Sequence, residues 1–416
     1  MIAKVFKLLR SQKVGISFTT ASVFNSIGQV VSSFIILKYL EPDDLGLWST
    51  LLLFETYTLF LQAGIINGLN RELPYYLGMK NIVKAESLAA TALYVFRASI
   101  LLCLIAGLLI IVFNIGAGEI YILTFIGVLA ITLMKFYENY LTSTFRSNDS
   151  FAQLSKIYYF RGGFLIVSTL LVVFFGYTGY IVRMVAISGA FTFALHSVRP
   201  MKVSPRFNFI DFKEMLKIGF PIFILAYLFS TSSTVDRLIL ADKMGFAAVG
   251  FYSLGSMVVS AFGVIPISIA NYIYPKMSFA FGRSNEKSTL FKKGLQINLF
   301  VFFTLLPIAI CGYFMLPILV EHLFTKYIPG IVAAQILLFS VLFSGGSVGA
   351  NVFWSLKDWK SIILLQVGGA LVNVGAIYLG YFLIPSSIVG ISLGVLSSKI
   401  VYFFLCNILI YFKVDK

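Results

Sequence analysis

Runs of roughly 20 apolar residues recur along the whole chain, and each is long enough to cross ~30 Å of hydrocarbon as an α-helix. Such runs leave few folds open. In lipid every backbone N–H and C=O needs a partner inside the protein, so a run either coils into a helix or joins a closed barrel. A barrel would show alternating segments of about ten residues, and the sequence has none. Spans can be drawn at 14–38, 45–68, 88–113, 119–145, 153–175, 178–198, 214–241, 247–273, 294–321, 329–353, 361–383 and 388–411. The predicted fold is an all-α polytopic membrane protein with 12 transmembrane helices. Composition agrees: 12% of the 416 residues are charged, about half the share in a soluble domain.

Net charge is +15. In a soluble protein that would suggest nucleic acid, but here the ordinary cause is the positive-inside bias of membrane loops. With the N-terminus inside, 23 of the 32 Lys and Arg residues fall in inner segments, among them Lys4, Lys7, Arg10, Lys13, Lys276, Arg283, Lys357 and Lys416. Lys38, Lys243 and Lys326 fall outside, and six lie within spans. Both termini are therefore expected in the cytoplasm, with no nucleic-acid partner. The outer connections are too short to house a catalytic domain. The basic N-terminus precedes an apolar run with no small-residue cleavage site, which predicts a retained first helix rather than a signal peptide. Cys103, Cys311 and Cys406 all sit inside apolar runs and read as packing residues.

The halves repeat. A shift of 204 residues carries Lys13-Val-Gly15 onto Lys217-Ile-Gly219, Ser26 onto Ser230, Ile35 onto Ile239, Gly46 onto Gly250, Trp48 onto Tyr252 and Ser49 onto Ser253. Six spans separate the copies, so both run in the same direction. That predicts two parallel-repeat six-helix bundles, 1–204 and 205–416, around a central cavity, with the basic connector Arg199–Lys217 between them.

The stretch Tyr39-Leu-Glu-Pro-Asp-Asp-Leu-Gly-Leu-Trp48, and the pair Asp236-Arg-Leu-Ile-Leu240 and Val249-Gly-Phe-Tyr252, resemble the polysaccharide flippases. These are the O-antigen and lipid-linked oligosaccharide translocases of the MOP (MATE-like) exporter superfamily. The resemblance implies a protein of the bacterial cytoplasmic (inner) membrane. It implies transport of an undecaprenyl-pyrophosphate-linked oligosaccharide repeat unit to the outer face, for O-antigen, lipopolysaccharide or related surface polysaccharide biosynthesis. A polysaccharide polymerase and a chain-length regulator are implied partners, beside the lipid bilayer and the lipid-linked oligosaccharide. Only Asp236-Arg237 is carried over as characteristic, with no fixed role.

Charges inside the spans are the candidate site. Each costs roughly 2.5–3.5 kcal/mol at the bilayer centre, so most are expected to face water, pair with acids or snorkel. Arg97, Lys135, Arg161, Arg237 and Lys399 are the candidate substrate-binding bases, since guanidinium and ammonium groups suit pyrophosphate oxygens. For Lys135, an ion pair with Glu138 three residues on is an equal alternative. For Arg161 it is snorkelling, and for Arg183, near the outer end of its span, snorkelling is the expected account. Ser230, Ser233 and Arg237 share one helical face at i, i+3, i+7, and their first-half counterparts are Ser26, Gln29 and Ser33. Glu55, Glu138 and Asp236 are the candidates for ion coupling. Asp236 is expected to meet a base on another helix. Gln366 and Asn373 either line the path or pack helices.

No cofactor is expected; no GxxxxGK[ST] phosphate loop occurs, which argues against direct ATP hydrolysis, and a proton or sodium gradient is the expected drive. A cation-coupled multidrug exporter of the MATE type is the alternative, disfavoured because in-span bases outnumber in-span acids. A major facilitator would need its second inner-loop motif, missing from residues 70–85. A membrane polymerase or ligase would need a long outer loop.

Overall fold

The computed structural model describes residues 2–284, 287–356 and 358–414. Lys357 and Lys416, two of the bases that set the expected topology, lie outside the described residues. So do the side chains of Lys4, Lys7, Arg10, Lys13, Lys276 and Arg283. The described residues contain no strand. The helices are α1 Ile2–Tyr39, α2 Pro42–Leu51, α3 Leu53–Thr58, α4 Ile65–Gly78, α5 Ile82–Phe113, α6 Glu119–Ser147, α7 Phe151–Val167 and α8 Thr169–Ser197. After the connector come α9 Phe209–Ser232, α10 Val235–Met244, α11 Phe246–Ser284, α12 Lys287–Leu323 and α13 Ile331–Gly345. The chain ends with α14 Asn351–Ser355, α15 Trp359–Ile363, α16 Gly369–Leu383 and α17 Ile388–Tyr411.

These helices form two compact units. Unit 1 comprises residues 1–40 and 51–227, and unit 2 comprises 41–50 and 228–416. The boundary expected at 204/205 falls within unit 1, because the first part of α9 packs there. Gly219 of α9 abuts Gly64 so closely that a Cβ on Gly219 would sit 2.0 Å from the Gly64 carbonyl oxygen. Gly64 also carries a φ of +82°, which a side chain would strain. It turns the chain by 54° between the stretch Pro42–Gln62 and α4. Beside this turn, Lys84 of α5 reaches Asp211 at 2.5 Å and Glu214 at 2.8 Å, both on α9. The Tyr76 hydroxyl donates to Glu214 at 2.7 Å.

Among the described residues, ten helical stretches are long and apolar enough to cross a membrane, or eleven if the bent pair counts as one span. Twelve were expected, and the difference arises at 153–175. The Thr169 hydroxyl donates to the Ile166 carbonyl at 2.6 Å and that of Ser168 to Leu165 at 3.3 Å. Hydroxyls that bond nearby carbonyls compete with the helical ladder, and α7 stops at 17 residues. The chain bends again at Gly176, whose φ of +57° interrupts α8.

The core of unit 1 gathers α4, α5, α6 and α8 around Leu69, Leu88, Phe96, Phe136, Phe145 and Phe191. In unit 2, Leu240, Tyr252, Leu337, Ile377 and Ile391 join α10, α11, α13, α16 and α17.

Candidate functional site

The run Ser230-Thr-Ser-Ser-Thr234 shapes the site in unit 2. Four successive hydroxyls donate three residues back: Thr231 to Leu228, Ser232 to Phe229, Ser233 to Ser230 and Thr234 to Thr231, at 2.7–3.2 Å. Each ties up a carbonyl near the end of α9, and the helix yields to a turn at Ser233–Thr234 before α10 begins. The polar stripe expected on one continuous helix is therefore cut. Ser233 and Arg237 still line a common cavity, and Ser230 does not belong to its lining.

That cavity has a volume of about 250 Å³. Its charged groups are Asp236, Arg237 and Lys399, and Ser256, Ser260, Ser340, Ser344 and Asn373 add most of its other polar groups. All lie in unit 2. Asp236 is buried, at 7% exposure. The Tyr252 hydroxyl donates to one of its carboxylate oxygens at 2.5 Å, and the Arg237 backbone N–H donates to the other at 2.7 Å. The hydrogen bond to Asp236 from another helix comes from the Tyr252 phenol, and Lys399 of α17 is the base whose charge interacts with it. The turn at 233–234 ends α9 and sets α10 at a new start, so Asp236 in its first turn faces α11. Arg237 reaches Ser256 at 3.4 Å. The Lys399 ammonium lies 5.4 Å from the centre of the Phe229 ring. Asn373 packs helices: its amide donates to the Ser232 carbonyl at 2.8 Å and it accepts from Ser398 at 2.7 Å.

Four other candidates gather in unit 1. Glu138 is buried at 4% exposure. It lies 3.9 Å from Lys135 and accepts from Ser188 at 2.9 Å and Thr192 at 3.1 Å. The Arg161 guanidinium stacks 4.4 Å from the Phe191 ring centre, and its Nε is buried without a hydrogen-bond partner. Lys135, Glu138 and Arg161 are the charges that act on Glu55. Arg97 stands apart on an exposed face of α5, where its charge acts on Tyr137 and Tyr140 of α6.

Arg183 does not snorkel. It is 2% exposed and donates to the Leu165 carbonyl at 2.8 Å. The physical reason is the early end of α7. A helix C-terminus leaves carbonyls unpaired, and this one lies within reach of α8.

Sequence reasoning passed over Ser256, Ser260, Ser340 and Ser344. A signal was present. Tyr252, Ser256 and Ser260 recur at four-residue spacing on the apolar α11, and Ser340 and Ser344 do so on α13. Among the described residues, no group of three His, Cys, Asp or Glu side chains could hold a metal ion.

A sequence profile of the family described as polysaccharide biosynthesis protein matches residues 78–332. A comparison with curated protein sequences gives no match. Among solved structures, the fold is similar to the inward-facing conformation of a multidrug resistance MATE family transporter of the MOP superfamily. That match has 15% identity and a TM-score of 0.73, over 95% of this chain and 94% of that one. It is also similar to the lipid II flippase MurJ in an inward closed conformation, at 14% identity and a TM-score of 0.73, over 95% of this chain and 87% of that one. A MOP superfamily transporter from Pyrococcus furiosus, described by the reverse polarity of its binding pocket, matches at 15% identity. Its TM-score is 0.64, over 97% of this chain and 96% of that one.

Proposed function

The chain belongs to the polysaccharide biosynthesis protein family, and on that premise we propose that it is a flippase for a lipid-linked oligosaccharide. Its substrate is an undecaprenyl-pyrophosphate-linked repeat unit, moved across the bacterial cytoplasmic membrane by alternating access for O-antigen or related surface polysaccharide biosynthesis. Both termini are cytoplasmic in this reading, supported by 23 inner bases against three outer ones. The MOP-type fold supports transport, and a lipid II flippase is one of its structural relatives.

The single observation that carries the reading is the pairing of Arg237 and Lys399 in one hydroxyl-lined cavity. Two cations against one Asp236 carboxylate leave a net positive charge inside a membrane protein. Such a charge is expensive unless a function keeps it. A pyrophosphate repays it, with Arg237 supplying two parallel donors and Lys399 a point charge. The cavity of about 250 Å³ is smaller than the ~300–1,000 Å³ of drug-sized pockets. It suits a phosphate-sized headgroup, with the sugars beyond it and the prenyl tail in lipid. Glu55, Glu138 and Asp236 are the groups proposed to couple transport to a proton or sodium gradient. The unit 1 bases Lys135 and Arg161, and Arg97, are proposed as further contacts along the path.

A cation-coupled multidrug exporter is the second reading, favoured by the MATE transporters among the structural relatives. One experiment separates the two. The protein is depleted from cells, and lipid-linked sugar units are followed in spheroplasts. Their accumulation on the inner face supports the flippase. Prompt appearance on the outer face, with a gain in sensitivity to cationic drugs, supports the exporter.

A further inference from the structure

We infer that unit 1 carries a binding groove for one anionic glycerophospholipid of the cytoplasmic leaflet, between α7 and α8. A groove of about 580 Å³ runs between these helices. Its walls are graded along the two helices. Gln153, Lys156 and Ser197, with the apolar Val198, line one end, and the apolar Ile157, Phe160, Ala190, Phe193 and Ala194 line the rest. The polar end lies at the start of α7 and the end of α8, the face that the basic residues mark as cytoplasmic. The gradient therefore runs as a lipid does, from headgroup to acyl chain. Phe160 and Phe193 are 51% and 73% exposed, so the apolar wall opens sideways to the bilayer. From Gln153 to Phe160 the helix rises about 10 Å, enough for the glycerol backbone and upper acyl chain.

Charge selects the occupant. Among the described residues, Lys156 is the only charged group in the lining. Its ammonium is exposed and makes no ion pair among the described residues. One cation balances one phosphodiester, while the Gln153 amide offers uncharged donors to its remaining oxygens; the Ser197 hydroxyl donates to the Phe193 carbonyl at 2.8 Å. A zwitterionic lipid would bring its own cation against Lys156. A pyrophosphate would bring more negative charge than a single lysine balances. Basic recesses between membrane helices on the cytoplasmic side suit anionic headgroups on general grounds. The inference needs only a membrane-embedded chain and does not depend on what unit 2 carries.

The test uses the full chain reconstituted in vesicles of equimolar phosphatidylglycerol and phosphatidylcholine. It is then released into detergent and weighed by native mass spectrometry. Wild type is expected to retain one phosphatidylglycerol at least tenfold over phosphatidylcholine. K156R is expected to keep that preference and K156Q to lose it. A194W, which fills the groove, is expected to lose both lipids, and gel filtration reports whether each variant is folded. Equal retention of the two lipids by wild type overturns the inference. So does a K156Q preference equal to that of K156R. Added undecaprenyl pyrophosphate that displaces phosphatidylglycerol from wild type and K156Q alike would also overturn it, assigning the groove to the carrier lipid.

Discussion

The hydroxyl oxygens of Ser49 and Ser253 lie 3.3 Å apart, and the two residues are separated by 204 positions. That separation is the offset that superposes the halves of the sequence, so equivalent residues of α2 and α11 meet each other. Their neighbours obey the same symmetry. A Cβ on Gly46 would sit 1.7 Å from the Phe246 carbonyl oxygen, and one on Gly250 would sit 1.8 Å from that of Pro42. Phe246 and Pro42 are themselves 204 apart. Small residues that let two backbones touch are a common basis of helix pairing in lipid.

Substitution at this crossing is expected to act equally from either side. G46L and G250L each force the helices apart and lose about 1–3 kcal/mol or more. S49A leaves the backbones in contact and costs within about 1 kcal/mol. Thermal midpoints in detergent check this, and a G250L that melts like wild type would contradict the close approach.

The Lys84–Asp211 pair is expected to matter most among the described ion pairs. Asp211 is 2% exposed, and it accepts from both Lys84 and Ser87. K84M leaves that carboxylate buried without its cation, at a cost of about 3–5 kcal/mol. The double variant K84M/D211N is expected to lose less than the sum of the singles. Strict additivity in a double-mutant cycle would show that the two groups are not coupled.

Asp358 gives a pH dependence. Partial burial pushes its carboxyl up, but hydrogen bonds from Lys413 and Ser361 outweigh this and hold it below the usual carboxylate range. A lowered native value means that the unfolded chain takes up the proton first. The contribution is thus fully present above the ordinary carboxylate pKa of about 3.9. It fades as pH falls through the lower native value. Wild type is expected to melt above D358N at pH 7, with the gap closing as pH drops toward about 3. A gap independent of pH would exclude ionisation as its source.

Y252F tests the acid of the unit 2 cavity. It removes a donor to a buried carboxylate, which is expected to cost about 1.5–3 kcal/mol. R237A and K399A are expected to lower glycan export about tenfold or more at unchanged protein level, while S230A, outside the lining, exports normally. Export is read by surface glycan labelling, and normal labelling in both basic variants would remove the cavity from the transport path.

Much of the protein was legible from residues alone. The length of its apolar runs, in a solvent that cannot satisfy backbone groups, requires helices. The repeat at offset 204 was visible because equivalent residues keep their spacing along the chain. What the sequence could not supply were the contacts made across distance. Asp236 needed Tyr252 from another helix, sixteen residues on. Arg183 looked like a snorkelling base until the early end of α7 brought the Leu165 carbonyl to it. Ser230, Ser233 and Arg237 fall on one face of a continuous helix by their spacing, whereas the bonds of the Thr231–Thr234 hydroxyls to the preceding turn end that helix between them. Local pattern fixes where helices form, because the backbone pairs within four residues. Which charges share a cavity depends on where helices break and cross, and only packing in three dimensions decides that.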